Sequence, residues 1–207
     1  MSVLIDLIDN KRTDKNTVHS YLDLYERLFY KKRSSALNIL EIGIKDGGSI
    51  KLWRDYFSNA HIYGLDCVSI NKLWDELKND KQITLYTSVD AYDVEFFTNN
   101  FLSKKIKFDV VLDDGPHSLS SQLKFIELYS QILTDDGILI IEDVQRWHYI
   151  EILKNKVPAD LKQFITAYDL KSHKDRSDDI VFTIDKTQSC VKAYSDYKAP
   201  TGWLRAI

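Results

Sequence analysis

The sequence predicts an α/β fold: a mostly parallel sheet of about seven strands, the last one antiparallel, with helices on both faces. Two observations lead there. Short apolar runs alternate with amphipathic stretches at helical spacing, as strand-helix units require. Those runs also end in acids, at Glu41, Asp66, Asp113-Asp114 and Glu142-Asp143. Buried parallel strands deliver polar groups in this way to the carboxyl edge of the sheet, where open α/β proteins place their ligands.

The elements follow in order. Residues 1–12 read as a short apolar opening and a polar link. Thr13-Asp-Lys-Asn-Thr17 is a turn-rich lead-in with several capping residues, and Val18, Tyr21, Leu22, Tyr25, Leu28 and Phe29 continue at helical spacing. Leu37 to Gly43 forms the first strand, and Gly47-Gly48-Ser49 opens a helix that buries Ile50, Trp53, Tyr56 and Phe57. His61 to Asp66 is the second strand, Lys72 to Asn79 a helix, Gln82 to Thr87 the third strand and Asp93 to Leu102 another helix. The fourth strand spans 108–113. Ser118 or Ser120 caps the helix behind it, which buries Leu123, Phe125, Ile126, Tyr129, Ile132 and Leu133. Asp136-Gly137 turns the chain into a fifth strand, 138–142, followed by a helix over 147–156 and two further strands at 162–169 and 180–185. The tail from Cys190 to Ile207 has no clear period.

A length of 207 residues predicts a single domain, 1–207, whose residues 1–33 form an N-terminal helical cap. Hydrophobic residues make up 44% and charged residues 29%, the balance of a globular rather than a disordered chain. A net charge of −3 leaves no basic footprint for nucleic acid, and Lys104-Lys105-Ile106-Lys107 reads as a solvated loop. No apolar run approaches the roughly 18 residues of a membrane helix. The opening residues lack a basic-then-apolar signal layout, so the expected location is the cytoplasm. Cys67 and Cys190 stand far apart in no metal spacing, which fits a reducing compartment.

The first chemical constellation is Glu41-Ile-Gly-Ile-Lys-Asp-Gly47 with Asp66 at the next strand end. Its glycines permit a tight turn and close backbone approach at a helix start. A dinucleotide motif would want a glycine where Lys45 stands, and pyrophosphate would crowd against Glu41 and Asp46. A purely structural turn also remains open. An acidic turn suits a cationic ligand best, and S-adenosylmethionine carries a sulfonium and an amino group, with ribose hydroxyls for Asp66. Asp90, shortly after the third strand, is read either as a contact to the purine or as a helix cap.

The second constellation combines Asp113-Asp-Gly-Pro-His117 with Glu142-Asp143. If the two strands are neighbours, their ends build one acidic site for Mg2+ or another hard divalent cation, beside a histidine fit for general-base work. The bland alternatives are a turn with a capping histidine and a strand-to-loop exit. Trp147 and His148 are read as lining an acceptor pocket or as helix packing, and His19 as a structural residue ahead of a role in cofactor or substrate closure. Arg176, Asp178 and Asp179 read as a solvated charge run ahead of a substrate-side loop.

Thr13-Asp-Lys, His19-Ser-Tyr21, Tyr25-Glu-Arg27, Leu40-Glu-Ile-Gly, Gly47-Gly-Ser49, Leu52-Trp-Arg-Asp-Tyr-Phe57, Asp113-Asp-Gly-Pro-His117 and Ile141-Glu-Asp-Val144 occur in this order. The combination resembles the metal-dependent macrolide sugar O-methyltransferases, that is, the macrocin and mycinamicin enzymes and the related cephalosporin-cluster methyltransferases. The resemblance runs over about residues 13–150. It implies a Rossmann-like class I methyltransferase that uses S-adenosylmethionine and Mg2+ on a sugar or glycan acceptor. It also implies Asp114, Glu142 and Asp143 as metal ligands and His117 as catalytic base. Glu41, Gly43, Ser49, Asp66 and Asp90 fall where such enzymes hold the cofactor, Tyr21 lies in the motif that closes over it, and Asp113 either faces the cofactor or supports the loop. Pro116 stands where serine is usual, and Lys45 where a small residue is common. The large N-terminal oligomerisation domain of some of these enzymes is not recognisable here, and a homo-oligomer is left open. The same metal chemistry would serve a catechol-like diol, and a third reading is a catalytically silent cofactor-binding subunit.

Overall fold

The computed structural model describes residues 3–187, so Cys190 and the tail lie outside the described residues. A seven-stranded sheet runs in the order β3-β2-β1-β4-β5-β7-β6. Its strands are β1 Asn38–Ile42, β2 His61–Asp66, β3 Ile83–Thr87, β4 Phe108–Asp113, β5 Leu133–Ile141, β6 Ile165–Asp169 and β7 Ile180–Asp185. The first five pair in parallel, and β7 is antiparallel to both β5 and β6, as the sequence predicts. The helices are α1 Leu4–Leu7, α2 Leu22–Phe29, α3 Gly48–Tyr56, α4 Asp75–Lys78, α5 Val94–Phe97, α6 Leu119–Tyr129, α7 Tyr149–Lys156 and α8 Lys171–Lys174.

Strand periodicity divides the core in two. Ile39, Val110, Leu112, Ile138 and Ile140 face α1, α2 and α3, where Tyr25, Phe29, Trp53 and Phe57 interlock. Leu40, Ile42, Val111, Leu139 and Ile141 face the other way, toward Phe97, Phe101, Phe125 and Tyr129. The N-terminal segment is tied to the first layer: Glu26 accepts hydrogen bonds from the Leu4 backbone N–H at 2.8 Å and the Tyr56 hydroxyl at 3.0 Å.

Several elements depart from the sequence reading. The helix expected from Val18 starts only at Leu22, and Val18 is exposed. The Asp14 carbonyl takes the N–H groups of Thr17, Val18 and His19 at 3.0–3.1 Å, which winds this stretch into a tight turn. Helical structure around Lys72 to Asn79 shrinks to a 3-10 turn at Ile70–Lys72 and the single turn of α4. Asp136-Gly137 does not interrupt the strand. It lies inside β5 next to a register shift opposite Phe108 and Val110, which is how a sheet absorbs extra residues. Asp179, read as part of a solvated run, is completely buried.

Candidate active site

The site follows from register. Ile42 pairs with Asp113, and Asp113 pairs with Ile141. One residue later the ladder continues, with the Asp114 N–H donating to the Ile42 carbonyl at 2.9 Å and the Glu142 N–H to the Asp113 carbonyl at 3.0 Å. Gly43, Asp114 and Glu142 therefore stand abreast. Alternation of side chains puts Asp114 and Glu142 on the same face as Glu41, and Asp113 on the opposite face. Gly43 is required by this closeness. Its φ is +84°, and a Cβ there would lie 1.9 Å from the Asp114 carbonyl oxygen.

On the shared face the carboxylates converge on Lys15. Its Nζ lies 2.7 Å from Asp114 Oδ2, 2.8 Å from both Glu142 oxygens and 3.3 Å from Glu41 Oε1. Burial alone would lower the lysine pKa, but Asp114, Glu142 and Glu41 outweigh it and hold the ammonium well above its usual range. Glu41 also accepts from Ser49 Oγ at 2.6 Å and Trp53 Nε1 at 3.0 Å, and burial pushes it up to about 6 against the pull of Lys15. Burial, and then the charge of Asp114, push Glu142 up. The Tyr25 hydroxyl donates to Glu142, and the Tyr21 hydroxyl to Asp143. Burial raises Asp143, opposed by that hydrogen bond and by His19 and His117.

Asp143 connects the cluster to two histidines. His117 Nε2 lies 3.5 Å from Asp143 Oδ2 and 3.8 Å from Asp114 Oδ1. His117 and Asp143 both adopt positive φ, +55° and +52°, conformations costly for residues with a Cβ and common where a site dictates side-chain direction. His19 Nδ1 lies 2.6 Å from Asp179 Oδ1 and 3.3 Å from Asp143 Oδ1. The Ser20 backbone N–H donates to the other Asp179 oxygen at 3.2 Å. Asp113, on the far face, accepts from the Tyr92 hydroxyl and from the Gly115 N–H, and burial pushes it up to about 7.

Beside this cluster opens a cleft of about 1090 Å³. Gly43, Ser49, Asp66, Asp90, Asp114 and His117 line it, together with residues 10–14 and Thr17 of the N-terminal segment. Asp66 is fixed at the cleft by accepting from the Lys45 N–H at 2.8 Å and the Val68 N–H at 3.0 Å. Gly48 lets the segment lie over the start of α3, since a Cβ there would meet the Arg12 carbonyl at 1.9 Å. The Arg12 guanidinium stacks 3.3 Å over the Trp74 ring, closing that end.

The structure thus brings together Asp114, His117, Glu142 and Asp143, and places Gly43, Ser49, Asp66 and Asp90 on the cleft. Tyr21, Glu41 and Asp113 are not among its lining residues, being engaged by Asp143, Lys15 and Tyr92. Trp147 packs partly buried against the second core layer, and His148 is exposed ahead of α7, so neither joins the cleft wall. Lys15, Tyr25 and Asp179 were missed by the sequence reading. For Lys15 the signal was its place in the Thr13-Asp-Lys motif, read there as a helix lead-in.

The donor set fits a hard divalent cation. One ligand atom each from Asp114, His117 and Asp143 lies within 4.8 Å of the others, while Glu142 stands outside that group with both oxygens on Lys15. The cleft has room for a molecule the size of S-adenosylmethionine, and Asp66 is held at its wall by the Lys45 N–H.

No protein-family model matches the chain. Sequence comparison finds the 8-demethyl-8-(2-methoxy-alpha-L-rhamnosyl)-tetracenomycin-C 3'-O-methyltransferase of Streptomyces olivaceus, 28% identical over 133 residues, 61% of this chain and 32% of that protein. It also finds the mycinamicin VI 2''-O-methyltransferase of Micromonospora griseorubida, 29% identical over 135 residues, covering 61% of this chain and 32% of that one. Demethylmacrocin O-methyltransferase of Streptomyces fradiae is 28% identical over 136 residues, with 62% and 32% covered. The chain thus spans about a third of the length of these curated relatives. Among solved structures, the MycE methyltransferase of the mycinamycin biosynthetic pathway, in complex with Mg, SAH and mycinamycin VI, superposes with a TM-score of 0.69 at 20% identity, over 97% of this chain and 57% of that one. A Methanococcus jannaschii fibrillarin matches with a TM-score of 0.54 at 17% identity, over 74% and 67%. The chain has the Rossmann-like class I methyltransferase fold, and its sequence similarity runs to the macrocin, mycinamicin and tetracenomycin sugar O-methyltransferases.

Proposed function

We propose that this chain is a single methyltransferase domain, capped by residues 1–33, that transfers a methyl group from S-adenosylmethionine to a sugar hydroxyl of a glycan or glycosylated metabolite in the cytoplasm, with Mg2+ bound. The observation that carries the reading is the delivery of Asp114 and Glu142 side by side at neighbouring strand ends, with Asp114 and His117 on the wall of the cleft. The names of the curated relatives, and the Mg, SAH and macrolide in the MycE complex, support it. No helix among the described residues is long and apolar enough to cross a membrane.

In this reading Gly43, Ser49, Asp66 and Asp90 bind and orient the methyl donor, which supplies an electrophilic methyl group on a sulfonium. Asp114, Glu142 and Asp143 would hold the cation, which would supply Lewis-acid activation of the acceptor hydroxyl. His117 accepts the hydroxyl proton at Nε2, and Asp114 and Asp143 at 3.8 and 3.5 Å stabilise the imidazolium that results. Asp113 and Tyr92 hold the loop that carries Gly115 and His117.

The test is methyl transfer from S-adenosylmethionine to a panel of deoxyhexosides and short glycans, read by mass spectrometry, with catechols as a second arm. Products in the sugar arm that depend on Mg2+ are expected. Cofactor binding with no product in either arm would overturn the assignment in favour of a silent subunit.

A further inference from the structure

We infer that Lys15 and a divalent cation compete for the same carboxylates, so that metal loads only by displacing the lysine. The inference rests on the reading of Asp114 and Glu142 as metal ligands. Lys15 is 1% exposed and its Nζ touches oxygens of three carboxylates at 2.7–3.3 Å. That is the place and the charge a cation bridging Asp114 and Glu142 would take. Both oxygens of Glu142 are already engaged: Lys15 bonds each at 2.8 Å, and Tyr25 donates to one of them. A hard cation needs direct oxygen ligation at roughly 2.1 Å for magnesium, closer than two cations sharing the same oxygens can tolerate.

The lysine is carried by a compact turn. Residues 13–19 form a tight turn around the Asp14 carbonyl rather than a helix. Thr13, Asp14 and Thr17 of the same turn line the cleft. Lys15 thereby ties the turn that carries this part of the cleft wall to Asp114 and Glu142. Lys15 is in this sense a positioning residue, acting through Asp114 and Glu142 and not on substrate.

The experiment measures Mn2+ binding by electron paramagnetic resonance in the wild-type chain, Lys15→Met and Lys15→Gln, without methyl donor or acceptor. Both variants are expected to bind Mn2+ at least about tenfold tighter than wild type, because no ammonium has to leave. Thermal melts provide a second readout. In EDTA the variants should melt lower than wild type, since Glu142 and Glu41 lose their counter-ion, and Mn2+ should raise their midpoints more than it raises the wild-type midpoint. Lys15→Gln retains a polar side chain of similar reach and covers the case in which Lys15→Met does not fold. Mn2+ bound by wild type as tightly as by the variants would overturn the competition and leave the metal site standing. Mn2+ bound by none of the three would overturn both.

Discussion

Gly43→Ala probes the construction of the site most directly. The new Cβ would sit 1.9 Å from the Asp114 carbonyl oxygen, 2.5 Å from its carbon and 2.9 Å from the Gly115 nitrogen, all backbone atoms that cannot swing aside. Ordinary contact requires β1 and the turn after β4 to separate by roughly 1.5 Å. Overpacking of this kind costs about 1–3 kcal/mol, and a side chain at φ +84° adds about 1–2 kcal/mol, so a total loss of about 2–5 kcal/mol is expected. Gly64→Ala is the matched control. It also lies at a tight position on a neighbouring strand, but its Cβ would meet the side-chain tips of Ile44 and Ile50 at 3.0–3.1 Å, which can rotate. Its cost should be about 1 kcal/mol, at the low end of overpacking. Urea denaturation followed by tryptophan fluorescence gives both values. The displaced Asp114 should also lower methyl-transfer turnover in the fraction of Gly43→Ala that remains folded, by up to about 100-fold for an ångström of misplacement. A Gly43→Ala midpoint equal to that of Gly64→Ala would refute the claim that this glycine sets the spacing of the carboxylates.

Other perturbations separate the roles of individual groups. His117→Ala should lose most turnover, about 100-fold or more, while calorimetry shows the methyl donor still bound; a wild-type rate would move the base elsewhere, with His148 the next residue to replace. EDTA should abolish transfer and Mg2+ restore it, and full activity in metal-stripped protein would remove Asp114, Glu142 and Asp143 from their assigned role. Asp179→Asn should destabilise the chain by about 1–3 kcal/mol, since Asp179 is buried with His19 and the Ser20 N–H as partners, and a neutral melt would contradict that. Asp113, pushed up to about 7 by burial, binds a proton more tightly folded than unfolded. Its contribution is therefore fully present below the unfolded carboxylate range and is lost as pH rises toward 7. The stability of Asp113→Asn relative to wild type should accordingly grow from pH 5 to pH 8 in urea titrations.

The parts legible in the sequence were those with a period. Short apolar runs marked the parallel strands, and the acid at each strand end marked the carboxyl edge, which is why Asp66, Asp114, Glu142 and Asp143 could be placed from sequence. Lys15 carried no such mark. A lysine in a polar turn has the composition of a solvated loop, and only the fold brings it across to Asp114 and Glu142, 99 and 127 residues away. Asp179 was misread for the same reason: beside Arg176 and Asp178 it looks like a charge run, yet it ends the approach to β7 and is buried against His19 from the other end of the chain. The split between Asp113 and Asp114 lay between these cases. Asp113 and Asp114 continue the alternation of β4 and face opposite sides of the sheet, whereas Asp143, at φ +52° past the end of β5, leaves that alternation. Period two alone assigns one carboxylate to Tyr92 and the loop, and the other to the face shared with Glu41 and Glu142. That same parity requires any cation at Asp114 to approach from the side of α2 and α3, which is the side the N-terminal turn covers, so the turn and the metal site cannot be altered independently of each other.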